Sequence, residues 1–168
     1  KHARFGSIDR ESNYLVTSVG ARSGTLQLLA DSEQVKRELD ARTAHSTQFA
    51  VLVMHPEQKA LARRWFNTPL VFSVQEAKGL EYASIILFNF ISDEEKLFRD
   101  VAAGVDQDAL EHDDLSYRRV KDKRDRSLEV YKFYINALYV AVTRAVRNLY
   151  IVEANHQAPL IGLLQLER

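Results

Sequence analysis

Two segments, Phe49-Ala-Val-Leu-Val-Met54 and Ser84 to Phe90, are apolar at nearly every position over the length of one strand. A strand with one face in water alternates apolar and polar side chains, so an unbroken apolar run requires cover on both faces. Helix-like segments lie between such runs, which predicts a parallel sheet whose strands return through helices. Asp31 or Ser32 caps a helix reaching about Ala41, with Val35 and Leu39 spaced i,i+4 and Glu33 in its first turn. Pro56 opens another, carrying Leu61, Trp65 and Phe66 on one side and ending near Asn67 and Pro69. Leu70 to Val74 reads as a further strand, followed by a short turn containing Lys78-Gly79. Tyr131, Tyr134, Ile135, Leu138, Val142 and Ala145 recur at helical spacing and feed a last strand, Leu149 to Val152. Near the start, β-rich runs at Tyr14 to Val19 and Thr25 to Leu29 flank Gly20 and Gly24 and read as a hairpin.

With 168 residues, 46% of them hydrophobic, the chain can bury one core, and a single domain over residues 1–168 is expected. Lys and Arg number 23, as do Asp and Glu, so no global field steers the chain to nucleic acid or an anionic membrane, and any phosphate contact must be local. The lack of cysteine excludes disulfides, thiolate metal sites and a cysteine nucleophile, and fits an intracellular setting, cytoplasmic or nucleoid-associated in a bacterium. No apolar run approaches the roughly 20 residues that span a bilayer, so no membrane partner is expected. The opening Lys1 is read as the start of a piece of a longer protein. From Ser92 to Arg126 the apolar rhythm weakens into an acidic stretch, Asp106 to Asp114, and a basic one, Arg118 to Arg126, read as a charged insertion. Its Arg118, Arg119, Lys121, Lys123, Arg124 and Arg126 could meet a phosphate backbone, but interspersed Asp122 and Asp125 favour a solvated, self-neutralised element. His2, His45, His55, His112 and His156 have no ligand spacing; surface positions account for them, and no metal site is expected.

Two segments can carry chemistry. The first, Phe72 to Tyr82, leaves the carboxyl end of a buried strand, the edge where parallel sheets bind ligands. Gly79 lets backbone approach a ligand, amides at a helical turn favour an anion, and Lys78 adds positive charge. Equally, Gly79 is a tight turn with Lys78 and Glu81 in solvent. The second, Tyr139 to Tyr150, ends the long helix. A guanidinium held there, that of Arg144, can stabilise charge on a transferring phosphoryl group, or can simply complement the helix dipole alongside Arg147.

Taken together, Gln75-Glu-Ala-Lys-Gly-Leu-Glu-Tyr82 before an apolar strand resembles motif V of UvrD/Rep-like superfamily 1 helicases, and Tyr139-Val-Ala-Val-Thr-Arg-Ala145 before Asn-Leu-Tyr-Ile resembles motif VI. Phe49 to Phe66 is similar to the strand and helix of motif IVa. The resemblance, over roughly Leu26 to Glu153, implies the second RecA-like domain, a P-loop-NTPase-type three-layer α/β fold with a mostly parallel sheet, here without a P-loop of its own. By the same resemblance Arg144 is the catalytic arginine reaching the ATP γ-phosphate, Gly79 and Glu81 lie beside the nucleotide, and Ser73 and Gln75 touch the DNA backbone. The implied partners are single-stranded or partly duplex DNA and a missing N-terminal RecA-like domain. ATP with Mg2+ is the cofactor of the full-length protein, and this chain alone binds none.

Gln75 stands where the family has histidine, and no G-x-x-x-x-G-K-[ST] loop occurs, so this chain cannot complete an ATPase site by itself. The family's motif IV arginine also has no match. Asp93-Glu94 after the strand ending at Phe90 differs from a Walker B strand by its spacing. Only His55 to Pro69 separates the motif IVa strand from the next, which leaves no room for the large accessory domain and is similar to the helicase-like region of proteins carrying TPR or ankyrin repeats; there ATP-driven movement is the firmer expectation than strand separation. Two other readings stay open, a protein-interaction module that kept the fold without ATPase activity and a flavodoxin-like ligand-binding domain.

Overall fold

The computed structural model describes residues 3–4, 15–16, 24–103 and 126–163. Strands β1 (Ala3–Arg4) and β2 (Leu15–Val16) form a small antiparallel ladder. Then come β3 (Leu26–Ala30), α1 (Glu33–Thr43), β4 (Phe49–Val53), a 3-10 turn at Pro56–Gln58, α2 (Lys59–Ala62), β5 (Val71–Ser73), β6 (Tyr82–Phe88), a 3-10 turn at Ser92–Glu94, α3 (Glu95–Ala103), α4 (Arg126–Thr143), β7 (Ala145–Glu153) and α5 (Pro159–Leu163).

The last five strands make one sheet in the order β3-β7-β6-β4-β5, parallel at every pairing. The fold is therefore the three-layer α/β arrangement of a RecA-like domain. Counted along the chain from the β5 edge the order is 3-2-4-5-1, whereas a flavodoxin-like sheet runs 2-1-3-4-5, so the flavodoxin reading fails on topology.

The apolar runs are explained by where they sit. Alternate residues of β4 and β6 enter opposite layers: Ala50, Leu52, Ile85 and Leu87 meet α3, α4 and α5 through Phe98, Leu138 and Ile161. Val51, Val53, Ile86 and Phe88 meet the other layer through Leu39, Ala62 and Phe66. Each valine, leucine, isoleucine or phenylalanine among them contributes about 1.5–3 kcal/mol when withdrawn from water. On α1, Ser32 is the cap and accepts from the Val35 N–H at 3.2 Å. Asp31 instead pairs with the buried Lys36 at 2.5 Å, and the Lys36 ammonium lies 3.9 Å from the centre of the Trp65 ring.

Several expectations need correction. The hairpin does not form: Leu15–Val16 pairs with Ala3–Arg4, and Leu26–Ala30 runs parallel to β7, with Leu26 opposite Leu149. Sequence neighbourhood lost to the larger apolar surface that β3 buries beside β7. The helix opened by Pro56 ends at Ala62; Phe66 is buried from the following turn, and Leu61 is exposed. The charged insertion does not start at Ser92, because Phe98 and Ala102 of α3 are core residues. The acidic stretch and the basic stretch up to Asp125 lie outside the described residues. Nor are all the histidines surface fillers: the half-buried His55 is paired through Nε2 with Glu94 at 3.1 Å. No helix among the described residues is long and apolar enough to cross a membrane.

Candidate functional site

The segment Val71 to Tyr82 crosses the sheet from one edge to the other, and this divides the candidate residues into two groups. At the carboxyl end of β5, Ser73 is fully buried, and its N–H and hydroxyl both donate to Glu76 Oε2, at 2.8 and 3.0 Å. Lys59 holds the same carboxylate at 2.7 and 2.8 Å. The Lys59 ammonium and the Ser73 donors favour the charged form and hold the Glu76 carboxyl down to about 2. Ser73 therefore spends its donors inside the protein and faces a carboxylate, an unfavourable setting for a phosphate. Gln75 is exposed at this end.

Gly79, Glu81 and Arg144 instead gather at the amino ends of β6 and β7, not at the carboxyl edge where a ligand was expected. Gly79 has φ +80, which other L residues adopt only with strain, and nothing lies within 4 Å of where a Cβ would point. Its glycine requirement is thus conformational, and the space before it is open. Glu81 and Lys78 are exposed.

Arg144 is the joint of the site. Helix α4 ends at Thr143 and β7 starts at Ala145, so this one residue makes the whole turn. Its backbone carbonyl accepts from Tyr82 N at 3.0 Å. Its half-buried side chain donates Nε to Val140 O at 3.1 Å, Nη1 to Leu80 O at 3.2 Å and Nη2 to Thr143 Oγ1 at 3.2 Å. A guanidinium has five N–H donors. Three are used here, and one on each terminal nitrogen is left without a partner among the described residues. A guanidinium grips a phosphate or carboxylate best through two such N–H groups side by side.

Next to this joint the β6–β7 pairing slips. Tyr82 faces Ala145 and Ser84 faces Asn148, so Ala83 stands against both Val146 and Arg147. The bulge turns Val146 out to 63% exposure and exposes Arg147, giving a rim beside Arg144 that is apolar and cationic. Below it, Asn148 fastens three strands: its Oδ1 accepts from Thr25 N at 3.2 Å and its Nδ2 donates to Ser84 Oγ at 3.0 Å.

No family model matches this chain. No solved structure matches it closely either. The site therefore has to be read on its own geometry. Among the described residues no group of three His, Asp or Glu side chains converges as a metal site. An anion has a receptor of suitable chemistry in the Arg144 fork, with Gly79 across from it on the segment that supplies Leu80. Sequence reasoning had picked Arg144, Gly79 and Glu81 but missed Glu76, Lys59 and the Thr143 hydroxyl as the groups that hold the neighbours in place. A Ser-x-x-Glu spacing, Ser73 to Glu76, was the available signal for the first.

Proposed function

We propose that this chain is the second RecA-like domain of an ATP-dependent DNA translocase or helicase of the UvrD/Rep type, contributing Arg144 to an ATP site completed by another domain. The observation that carries the reading is the arginine itself: three internal bonds anchor its guanidinium and leave one N–H on each terminal nitrogen without a partner among the described residues. Preorganised donors of this kind act on charge that develops in a transition state, because no reorganisation is needed when the charge appears. Bound MgATP would supply the phosphoanhydride and its metal, held mainly by the partner domain's phosphate loop. On this chain Arg144 would face the γ-phosphate, with Gly79 and Glu81 beside it. DNA contact rests on Gln75 rather than on Ser73, whose donors Glu76 takes.

The same bonds also favour a second reading, in which Arg144 merely fastens α4 to the loop before β6 in a protein-interaction module without ATPase activity. ATP turnover by the full-length protein, with and without single-stranded DNA, separates the two. DNA-stimulated turnover that Arg144→Ala abolishes supports the motor. An inactive wild type, or a mutant with wild-type turnover, moves the interaction module to first place.

A further inference from the structure

We infer that Thr143 is a positioning residue for Arg144, an inference that rests on the proposed ATP reading for its catalytic consequence. Thr143 Oγ1 lies 2.9 Å from Tyr139 O and 3.0 Å from Val140 O, two carbonyls in the last turn of α4, so the hydroxyl bonds back to the backbone of its own helix. A hydroxyl has one proton, so it donates to this pair and keeps its lone pairs for a donor approaching from outside. Arg144 Nη2 is that donor, at 3.2 Å.

The three anchors of the guanidinium then have distinct consequences. Val140 O takes Nε and fixes the side chain's root, and Leu80 O takes Nη1. Both are backbone groups that no substitution removes. Among the described residues Thr143 is the single side-chain anchor, and it holds the second terminal nitrogen. With both terminal nitrogens held, a flip of the guanidinium about its Nε–Cζ bond, already slowed by resonance, must also break both bonds, which steadies the direction of its two remaining N–H groups. Without the hydroxyl, a flip about Nε–Cζ breaks one bond fewer, and the plane is held by Val140 O and Leu80 O alone, so its aim is looser. Such a loss acts on the transition state far more than on ground-state nucleotide affinity.

The test compares Thr143→Val, which keeps shape and removes the hydroxyl, with Thr143→Ser, which keeps the hydroxyl and removes the methyl. In the full-length protein, Thr143→Val is expected to lower kcat for DNA-stimulated ATP hydrolysis about tenfold with KM for ATP unchanged, as for loss of one orienting hydrogen bond. Thr143→Ser is expected to restore kcat. In the 15N-labelled chain, NMR exchange between the Arg144 Nη1 and Nη2 signals reports rotation about Nε–Cζ. It should be several-fold faster in Thr143→Val than in wild type and slow again in Thr143→Ser.

Wild-type rotation and wild-type kcat in Thr143→Val overturn the inference, as does a Thr143→Ser variant as impaired as the valine. If Arg144→Ala kills turnover while Thr143→Val leaves it intact, the role of Thr143 fails alone and the ATP reading stands. If rotation quickens but even Arg144→Ala leaves turnover unchanged, the ATP reading fails and the inference falls with it.

Discussion

The guanidinium of Arg144 donates to the carbonyl oxygen of Leu80 across 3.2 Å, although 64 positions separate them in the chain. With the bond from Tyr82 N to Arg144 O, it ties the segment before β6 to the turn before β7 in both directions. Anything that pulls on Arg144 is therefore felt at Gly79 and Glu81.

Replacing Arg144 by lysine keeps the charge and discards the planar fork. Lysine has a single nitrogen and cannot bond Val140 O, Leu80 O and Thr143 together while offering two parallel donors. Arg144→Lys should thus lose at least about 10³-fold in DNA-stimulated kcat, close to the alanine variant. Steady-state ATPase assays check this; recovery to within tenfold of wild type would mean that charge alone suffices.

Gly24 lies against the backbone of β7, and a Cβ there would come within 1.4 Å of Arg147 O. Backbone cannot yield as the tip of a side chain can, so β3 must shift away from β7. Gly24→Ala should cost about 1–3 kcal/mol, read as a lower midpoint in urea with an unchanged slope.

Glu153 is fully buried at the end of β7 and accepts from Ile91 N at 2.9 Å and Ser92 N at 2.8 Å. Burial pushes its carboxyl pKa up, against the pull of those donors. The folded state then holds a proton more tightly than the unfolded chain. Its contribution is greatest below the unfolded value and is lost as pH rises through the raised folded value. Denaturation of wild type and Glu153→Gln from pH 4 to 8 should show this loss in wild type only. The glutamine also turns an N–H toward a donor, costing about 1–3 kcal/mol.

Glu76 has the opposite sign. Lys59 and Ser73 hold it down to about 2, so its stabilisation is present above the unfolded value of 4.5 and disappears as pH falls toward 2. Glu76→Gln should flatten that acid limb. Because the side chain is 45% exposed, solvent screens the pair and the effect at neutral pH is small. With a negative charge removed from this edge, the exposed Gln75 should also bind a phosphate backbone more tightly, which fluorescence anisotropy with labelled single-stranded DNA measures; unchanged affinity would count against DNA contact at this edge.

Much of this architecture was legible because burial writes itself into composition. Phe49 to Met54 and Ser84 to Phe90 could only be strands covered on both faces, and α4 and α1 announced their inner faces by spacing. The hairpin misled because two β-rich runs around glycines satisfy every local rule, while the partner that wins Leu26–Ala30 is a strand over 100 residues away. The early end of α2 and the core role of α3 were hidden for the same reason, since Phe66 and Phe98 are placed by contacts no window contains.

Taken alone, the sequence determined the layers and the parallel sheet, since residue type and periodicity are local properties, and it nominated Arg144, Gly79 and Glu81 through the resemblance. Tertiary structure alone decided which sheet edge each candidate occupies, because a crossing segment carries its two ends to opposite edges. It also decided that Ser73 is sealed by Glu76 and that Arg144 keeps two donors to offer. Hydrogen-bond partners are assigned by distance in space, and the distances that matter here join residues that only folding brings within reach.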